Sequence, residues 1–326
     1  MTSYIETILK KELNCSSVEF IQRPSQDSIN NTGVYNTSFG PVFVKENDFK
    51  LGLDMFQVEE ESLKLIKETG TIRVPNVLKV IDKNERDGAI IVLEYLNELK
   101  PIEGKTSWMN FAKRVARLHK DNINKLEIKK KAESSIHNKT IKAIEKFGFH
   151  FPIVFGPIYQ IQADTWYSSW PDLYLREILN PMINAFEPLS GQSEKNKKLY
   201  ENCREMMINI DKVFKGYDYK PSLCVSDLAS DNCGEIDGEP IIYDPYCSYS
   251  HHEFDFTQPL ITNDFPPEFY QAYDAEFGAR RGSKDRSLAY RLFGHLIRAN
   301  HDLDREENIE KGLELTEKLI DLSNKS

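Results

Sequence analysis

At 326 residues the chain exceeds what one small core organises and implies two lobes or domains. Its 40% hydrophobic and 29% charged residues are ordinary for a folded soluble protein. A net charge of -9 leaves no global basic field for nucleic acid or an anionic membrane, although a small nucleotide's phosphates can still be held locally.

The opening stretch "MTSYIETILKKELN" sets Ile5, Ile8 and Leu9 at helical spacing among charges, without the continuous apolar core of a signal peptide. No run approaches the roughly 18 apolar residues of a membrane span. Cys15, Cys203, Cys224, Cys233 and Cys247 are odd in number, scattered and free of any C-x-x-C pair. They read as free thiols in a reducing cytoplasm, not as a zinc site.

Next, "GVYNTSFGPVFVKEN" reads as two strands joined around Ser38-Phe39-Gly40, with Val42 and Val44 alternating against Phe43 and Lys45. "DMFQVEEESLKLIKETG" switches to helical spacing, with Phe56, Leu63 and Ile66 on one face, Asp54 as cap and Gly70 as stop. "RVPNVLKVID" and "GAIIVLEYL" are two more strands around the polar turn "KNERDG". From residue 107 the pattern is mainly helical, in "SWMNFAKRVARLHK", "HNKTIKAIEKFG", "WPDLYLREILNPMINAF" and "EKNKKLYENCREMMINIDKVF". One β-rich island interrupts it, "SLCVSDL" followed by "CGEIDGEPIIYD", whose Asp237-Gly238 is a strong hairpin signal. The expected fold is therefore α+β and bilobal, like a protein kinase. An antiparallel-sheet N-lobe with one helix spans 1–95, and a mainly helical C-lobe spans 96–326.

The candidate chemistry follows that order. Asp227 and Asn232 have the D-x-x-x-x-N spacing of a kinase catalytic loop, in which the Asp accepts the proton of the attacking hydroxyl and the Asn reaches a magnesium ion. Taken alone, the spacing is weak and is more often that of a solvated turn. Asp244 follows the apolar run Ile241-Ile242-Tyr243, where a kinase places a metal-binding Asp. Lys45 ends "VFVK", comparable to the strand whose lysine holds the α- and β-phosphates. Glu59, on the inward edge of the next helix, is the carboxylate placed to pair with it. Loop Asp, loop Asn, tight hairpin, strand and Asp in one order favour a kinase-like phosphotransferase. Nothing like A-P-E follows Asp244, which weighs against a protein kinase.

The segments "TSFGPVFVKEN", "MFQVEEESLKLI", "FGFHFPIVFGPIYQ", "DTWYSSW", "LCVSDLASDN", "GEPIIYDPY", "SHHEFDF" and "FPPEFYQAY" resemble the fructosamine (ketosamine) kinase family nearly end to end. The resemblance implies ATP-dependent, magnesium-dependent phosphorylation of a sugar hydroxyl on a free or protein-linked ketosamine. It implies Asp227 as base and Asn232 and Asp244 as metal ligands. Lys45 would hold phosphate, oriented by Glu59, and backbone groups of Glu94, Tyr95 and Leu96 would meet adenine. Gln162, Asp164 and Trp166 would lie near the sugar. His251, Glu253 and Asp255 match a further family segment and equally suit buried residues bracing the Asp244 loop.

Departures from the family pattern bear on substrate and affinity. The family reads H-G-D-L-W-S-G-N where this chain reads Val225-Ser226-Asp227-Leu228-Ala229-Ser230-Asp231-Asn232. The phosphate-covering stretch "PSQDSINNTG" keeps only Gly33, with Ser28 where some members carry cysteine; Asn30 and Asn31 can partly substitute for glycine. Ile178 stands where the family tends to have arginine. An aminoglycoside- or choline-type phosphotransferase and a nucleotide-binding pseudokinase are the alternative expectations.

Overall fold

The alternation of Val42 and Val44 with Phe43 and Lys45 sorts two faces of a sheet. The structure is a computed structural model and describes residues 4–23, 30–83, 87–133, 142–155 and 159–325. It forms two compact units, residues 1–102 with 231–245 and residues 103–230 with 246–326.

The first unit begins with α1 (Tyr4–Glu12), β1 (Val18–Gln22), β2 (Asn31–Thr37), β3 (Gly40–Asn47), α2 (Gly52–Thr69), β4 (Val77–Asp82) and β5 (Ala89–Glu94). Its strands make an antiparallel sheet ordered β1-β2-β3-β5-β4. Val42 and Val44 join Leu9, Ile81, Ile90 and Val92 in a core, with Ile5 and Ile8 of α1 packed against it. The strand period of two sends Lys45 to the opposite face, where it meets α2. α2 buries Phe56, Leu63 and Ile66 and stops at Gly70, whose φ of 63° forms a left-handed cap. Asp54 does not cap it. The helix starts at Gly52, which puts Asp54 inside the first turn and leaves the N-cap Leu51 without a side-chain bond.

The second unit runs through α3 (Gly104–Glu133), β6 (Phe147–Phe149), β7 (Ile153–Phe155), β8 (Tyr159–Ile161), β9 (Thr165–Tyr167) and α4 (Trp170–Leu173). A π-helical turn over Tyr174–Leu179 then leads into α5 (Asn180–Ser190), followed by α6 (Glu194–Met206) and β10 (Ser222–Cys224). The π turn accommodates Pro181, which has no N–H to donate, as Asn180 N–H reaches back to Leu175 O. The helix expected over 137–148 is not seen in the described part: 142–146 are irregular and Phe147–Phe149 is a strand, while 137–141 lie outside the described residues. The cause is tertiary. The Asn122 side chain accepts from Ile144 N–H at 2.9 Å and donates to Ile144 O at 2.8 Å, replacing intrahelical partners.

The hairpin β11 (Cys233–Ile236) and β12 (Glu239–Ile242) returns the chain to the first unit. It was expected as an island in the helical lobe, but Ile242 N–H donates to Arg73 O at 3.0 Å and Glu235 exchanges backbone bonds with Lys100 at 2.8 and 3.0 Å. Gly234 permits this approach, since a Cβ there would lie 2.7 Å from Lys100 O. The second unit ends with β13 (Ser248–Ser250), α7 (Thr257–Thr262), α8 (Pro267–Phe277), α9 (Ser283–Asn300) and α10 (Arg305–Lys325). Its sheet is ordered β10-β13-β6-β9. Among the described residues no helix is long and apolar enough to cross a membrane.

Candidate active site

In the first unit, Lys45, Glu59 and Asp244 converge. Lys45 Nζ donates to Glu59 Oε1 at 2.9 Å and is ion-paired with Asp244 Oδ1. Lys45 and Glu59 side chains are each 5% exposed, whereas Asp244 is 33% exposed. A buried ammonium is tolerated only with such partners. Two carboxylates against one ammonium leave the cluster net negative, which suits an added cation. An ammonium has three donors, so one remains beyond these two contacts.

The hairpin assembles the oxygen donors. Asp237 and Gly238 both have positive φ, 51° and 78°, as a two-residue turn of the primed type requires. The turn fixes the pairing Ile236↔Glu239 through Cys233↔Ile242, and Tyr243 N–H extends the ladder to Asn232 O at 3.0 Å. Asn232 and Asp244 therefore flank the open end of one hairpin. Asp244 is itself left-handed, φ 56°, a conformation that Asp adopts more readily than most residues. An amide oxygen and a carboxylate form an all-oxygen donor set, the chemistry magnesium selects, so these residues fit that ion.

Asp227 lies in the second unit and is half-buried. The loop entering it is fastened by Asp255, which accepts from Val225 N–H and Ser226 N–H, each at 2.7 Å, and pairs with His119 Nε2 at 2.9 Å. Ser226 has φ 65°, and its hydroxyl lies 2.8 Å from Ser248 Oγ. The family's glycine at this position is thus matched by a serine in the left-handed region, which costs a side-chain-bearing residue about 1–2 kcal/mol. Ser226→Gly is expected to stay within about 1 kcal/mol of the parent, since relief of strain offsets the lost hydroxyl bond. Ser226→Val is expected to destabilise by about 2 kcal/mol or more, because a β-branched residue fits this region poorly. Urea denaturation checks the pair, and a valine variant as stable as the glycine variant would contradict the assigned backbone constraint.

Gln162 and Asp164 are exposed on the turn between β8 and β9, and Trp166 is half-buried in β9. Gly148 opposite lets the indole lie on the strand backbone, with His150 stacked edge-on at 4.8 Å. Three strand spacings of about 4.8 Å put β9 about 14 Å from β10, which leads into the Asp227 loop.

The N–H and the carboxylate of Glu94 are committed elsewhere. Its N–H donates to Asn76 O at 2.8 Å, and its carboxylate accepts from Arg73 at 2.8 Å and from Asn76 Nδ2 at 2.7 Å. N–H donation to an adenine edge would fall to Tyr95 and Leu96. Gly33 sits inside β2, where a Cβ would meet the Tyr35 ring at 2.9 Å, so packing explains it; residues 24–29, including Ser28, lie outside the described residues. Asn30 is turned to Asn47, whose Nδ2 donates to its Oδ1 at 2.9 Å. Ile178 is fully buried in the second unit's core and lines no open site.

His251 and Glu253 brace the fold. Glu253 receives two bonds from Arg286, at 2.9 and 2.7 Å, and the guanidinium lies 4.2 Å over the Tyr217 ring. A cation at the His251–His252–Glu253 group would therefore meet this guanidinium. Sequence reasoning missed His119 and Arg286 altogether, because neither stands in a local motif.

A fructosamine kinase family model matches residues 1–311. The chain is 30% identical to a ketosamine-3-kinase of Mus musculus, covering 91% of this chain and 94% of that one. It is similar in structure to a putative fructosamine-3-kinase of Haemophilus somnus, with a TM-score of 0.71, 23% identity and coverage of 98% and 96%. It is also similar to an ADP-bound aminoglycoside phosphotransferase, with a TM-score of 0.61, 12% identity and coverage of 98% and 99%. Both structural likenesses show the kinase-like fold.

Proposed function

The chain belongs to the fructosamine kinase family, and from that premise we propose that it transfers the γ-phosphoryl group of ATP to a sugar hydroxyl of a ketosamine. Position 3, for which the murine relative is named, is the hydroxyl we assign. The observation that carries this reading is the convergence of Lys45, Glu59 and Asp244 beside a hairpin that also presents Asn232.

In this mechanism Lys45 donates to phosphate oxygens while Glu59 keeps it oriented. The Glu94 carbonyl and backbone groups of Tyr95 and Leu96 receive the adenine edge. Asn232 and Asp244 hold magnesium, which neutralises charge on the phosphates when bound. Asp227 orients the acceptor hydroxyl and takes its proton as the new O–P bond forms and the bond to ADP breaks. Products are ADP, the phosphomonoester and that proton. Gln162, Asp164 and Trp166 line the acceptor side. We place the reaction in the cytoplasm, where the five free thiols would stay reduced.

The acceptor is a bulky ketosamine. Ala229 stands where the family has tryptophan, which leaves a wider and less apolar pocket. Ala229→Trp is expected to raise kcat/KM for small free ketosamines about tenfold. Ile178 does not stand in the way, since it belongs to the core. Paired kinetics on one small and one peptide-linked ketosamine check this, and equal efficiencies in both proteins would remove position 229 from the pocket.

The proposal is tested by magnesium-dependent ATP consumption against ketosamines, plain sugars, choline and aminoglycosides. Turnover confined to ketosamines supports it. Turnover only with aminoglycosides or choline would replace the acceptor, and nucleotide binding without any turnover would make the chain a pseudokinase.

A further inference from the structure

The sheet of the second unit sets one row of residues across its four strands. Leu223 of β10 pairs with Tyr249 of β13, Tyr249 with Gly148 of β6, and Gly148 with Trp166 of β9. Directly opposed residues point to one face, so this row is a single surface. Ser222, Cys224, Ser248 and Ser250, which flank it in β10 and β13, point the other way and are buried. Gly148 contributes no side chain, and the Trp166 indole takes the space: a Cβ at Gly148 would lie 2.6 Å from its Cε3. The indole thereby comes within 6.3 Å of the Tyr249 ring, tilted by 37°. His150, two residues past Gly148 and so on the same face, stands steeply to both rings, at 4.8 and 6.3 Å. Trp166 and Tyr249 are half-buried and His150 is exposed, so the aromatic corner that they form is reached from solvent.

Aromatic faces carry the negative side of the ring quadrupole and attract a cation within about 6 Å of the centroid, most strongly for Trp. Asp164 adds a formal charge. Phe149 pairs with Thr165, so Asp164 stands one register step on, beside His150. Its N–H donates to Phe149 O at 2.9 Å, and Thr165 Oγ1 closes the same turn on Gln162 O at 2.8 Å. The Asp164 carboxylate makes no ion pair among the described residues. Three rings beside an unpaired carboxylate suit an organic ammonium, and a plain sugar has none to offer. A ketosamine carries a secondary amine on carbon 1, protonated at neutral pH and two carbons from the one whose hydroxyl is assigned as acceptor. The corner is placed for it: Leu223, the partner of Tyr249, precedes Asp227 by four residues, no more than about 13 Å of chain.

We propose, resting on the ketosamine acceptor assigned above, that Trp166, Tyr249 and His150 with Asp164 bind the protonated amine of the acceptor and the first carbons of its N-substituent. This contact distinguishes ketosamines from plain sugars, and it adds Tyr249 and His150 to the acceptor site.

The test reads binding, so it does not depend on turnover. Full-length protein is titrated by calorimetry with Nα-acetyl-Nε-fructosyl-lysine and with the isostere in which an ether oxygen replaces the fructosyl nitrogen. We expect the amine to bind about tenfold more tightly than the ether. Tyr249→Leu should reduce that preference to about twofold or less, while Tyr249→Phe, which keeps the aromatic face, should retain it. Asp164→Asn, a change at an exposed position, should lower the preference about threefold. Equal affinity for amine and ether in the parent would overturn the site, as would an undiminished preference in Asp164→Asn or in a Tyr249→Leu variant with the parent's circular dichroism. Loss of the preference in Tyr249→Phe would overturn the aromatic contact. Ketosamine phosphorylation with equal affinity for both probes would keep the kinase reading and remove this site. A tenfold preference without phosphorylation, by contrast, would keep the site and remove the kinase reading.

Discussion

Asp227→Asn is expected to lower phosphoryl transfer by about 10²- to 10⁴-fold while leaving nucleotide affinity within about twofold. The substitution keeps the shape and removes the proton acceptor. Asp255 fastens the preceding backbone, so the loop should hold its conformation. Single-turnover kinetics with saturating magnesium–ATP separate the chemical step from binding. Turnover near that of the parent would remove Asp227 from the mechanism, and a matching loss of nucleotide affinity would make its role structural.

Asp244→Ala should abolish magnesium-dependent nucleotide binding, a loss of more than about 100-fold in affinity. Asp244 is the more exposed partner of Lys45, and Glu59 remains to hold the buried ammonium. The variant should therefore fold with a Tm within a few degrees of the parent. Titration calorimetry with and without magnesium reads the effect. Unchanged magnesium–ATP affinity would mean that the ion is held elsewhere.

Much of this arrangement is legible locally. The Val42-Phe43-Val44-Lys45 alternation alone turns Lys45 away from the apolar core, and the Phe56–Leu63 spacing of the next helix puts Glu59 on its inward edge. Asp237-Gly238 fixes a two-residue turn, and with it the position of Asn232 and Asp244 at one hairpin end. Local patterns fail where distant groups capture the backbone. Ile141, Ile144 and Phe147 have helical spacing, yet the Asn122 side chain 22 residues away takes both backbone groups of Ile144. The Asp255 carboxylate is visible as a motif, but its partner His119 lies 136 residues earlier. Ser226 shows its left-handed backbone only through the glycine that the family carries there, since the Asp255 bonds that accompany it come from 29 residues away. Ile178, a departure from the family's arginine, lies in the core instead of at a site, since alignment with a polar residue says nothing about which side of a π-helical turn faces the core.

The most direct test is 31P and 13C NMR of the protein incubated with magnesium, ATP and a peptide-linked fructosamine. The account predicts that the γ-phosphate signal is replaced by a phosphomonoester coupled to carbon 3 of the sugar, with ADP formed in equal amount. ATP left intact, or ADP and inorganic phosphate without a sugar phosphate, would contradict it.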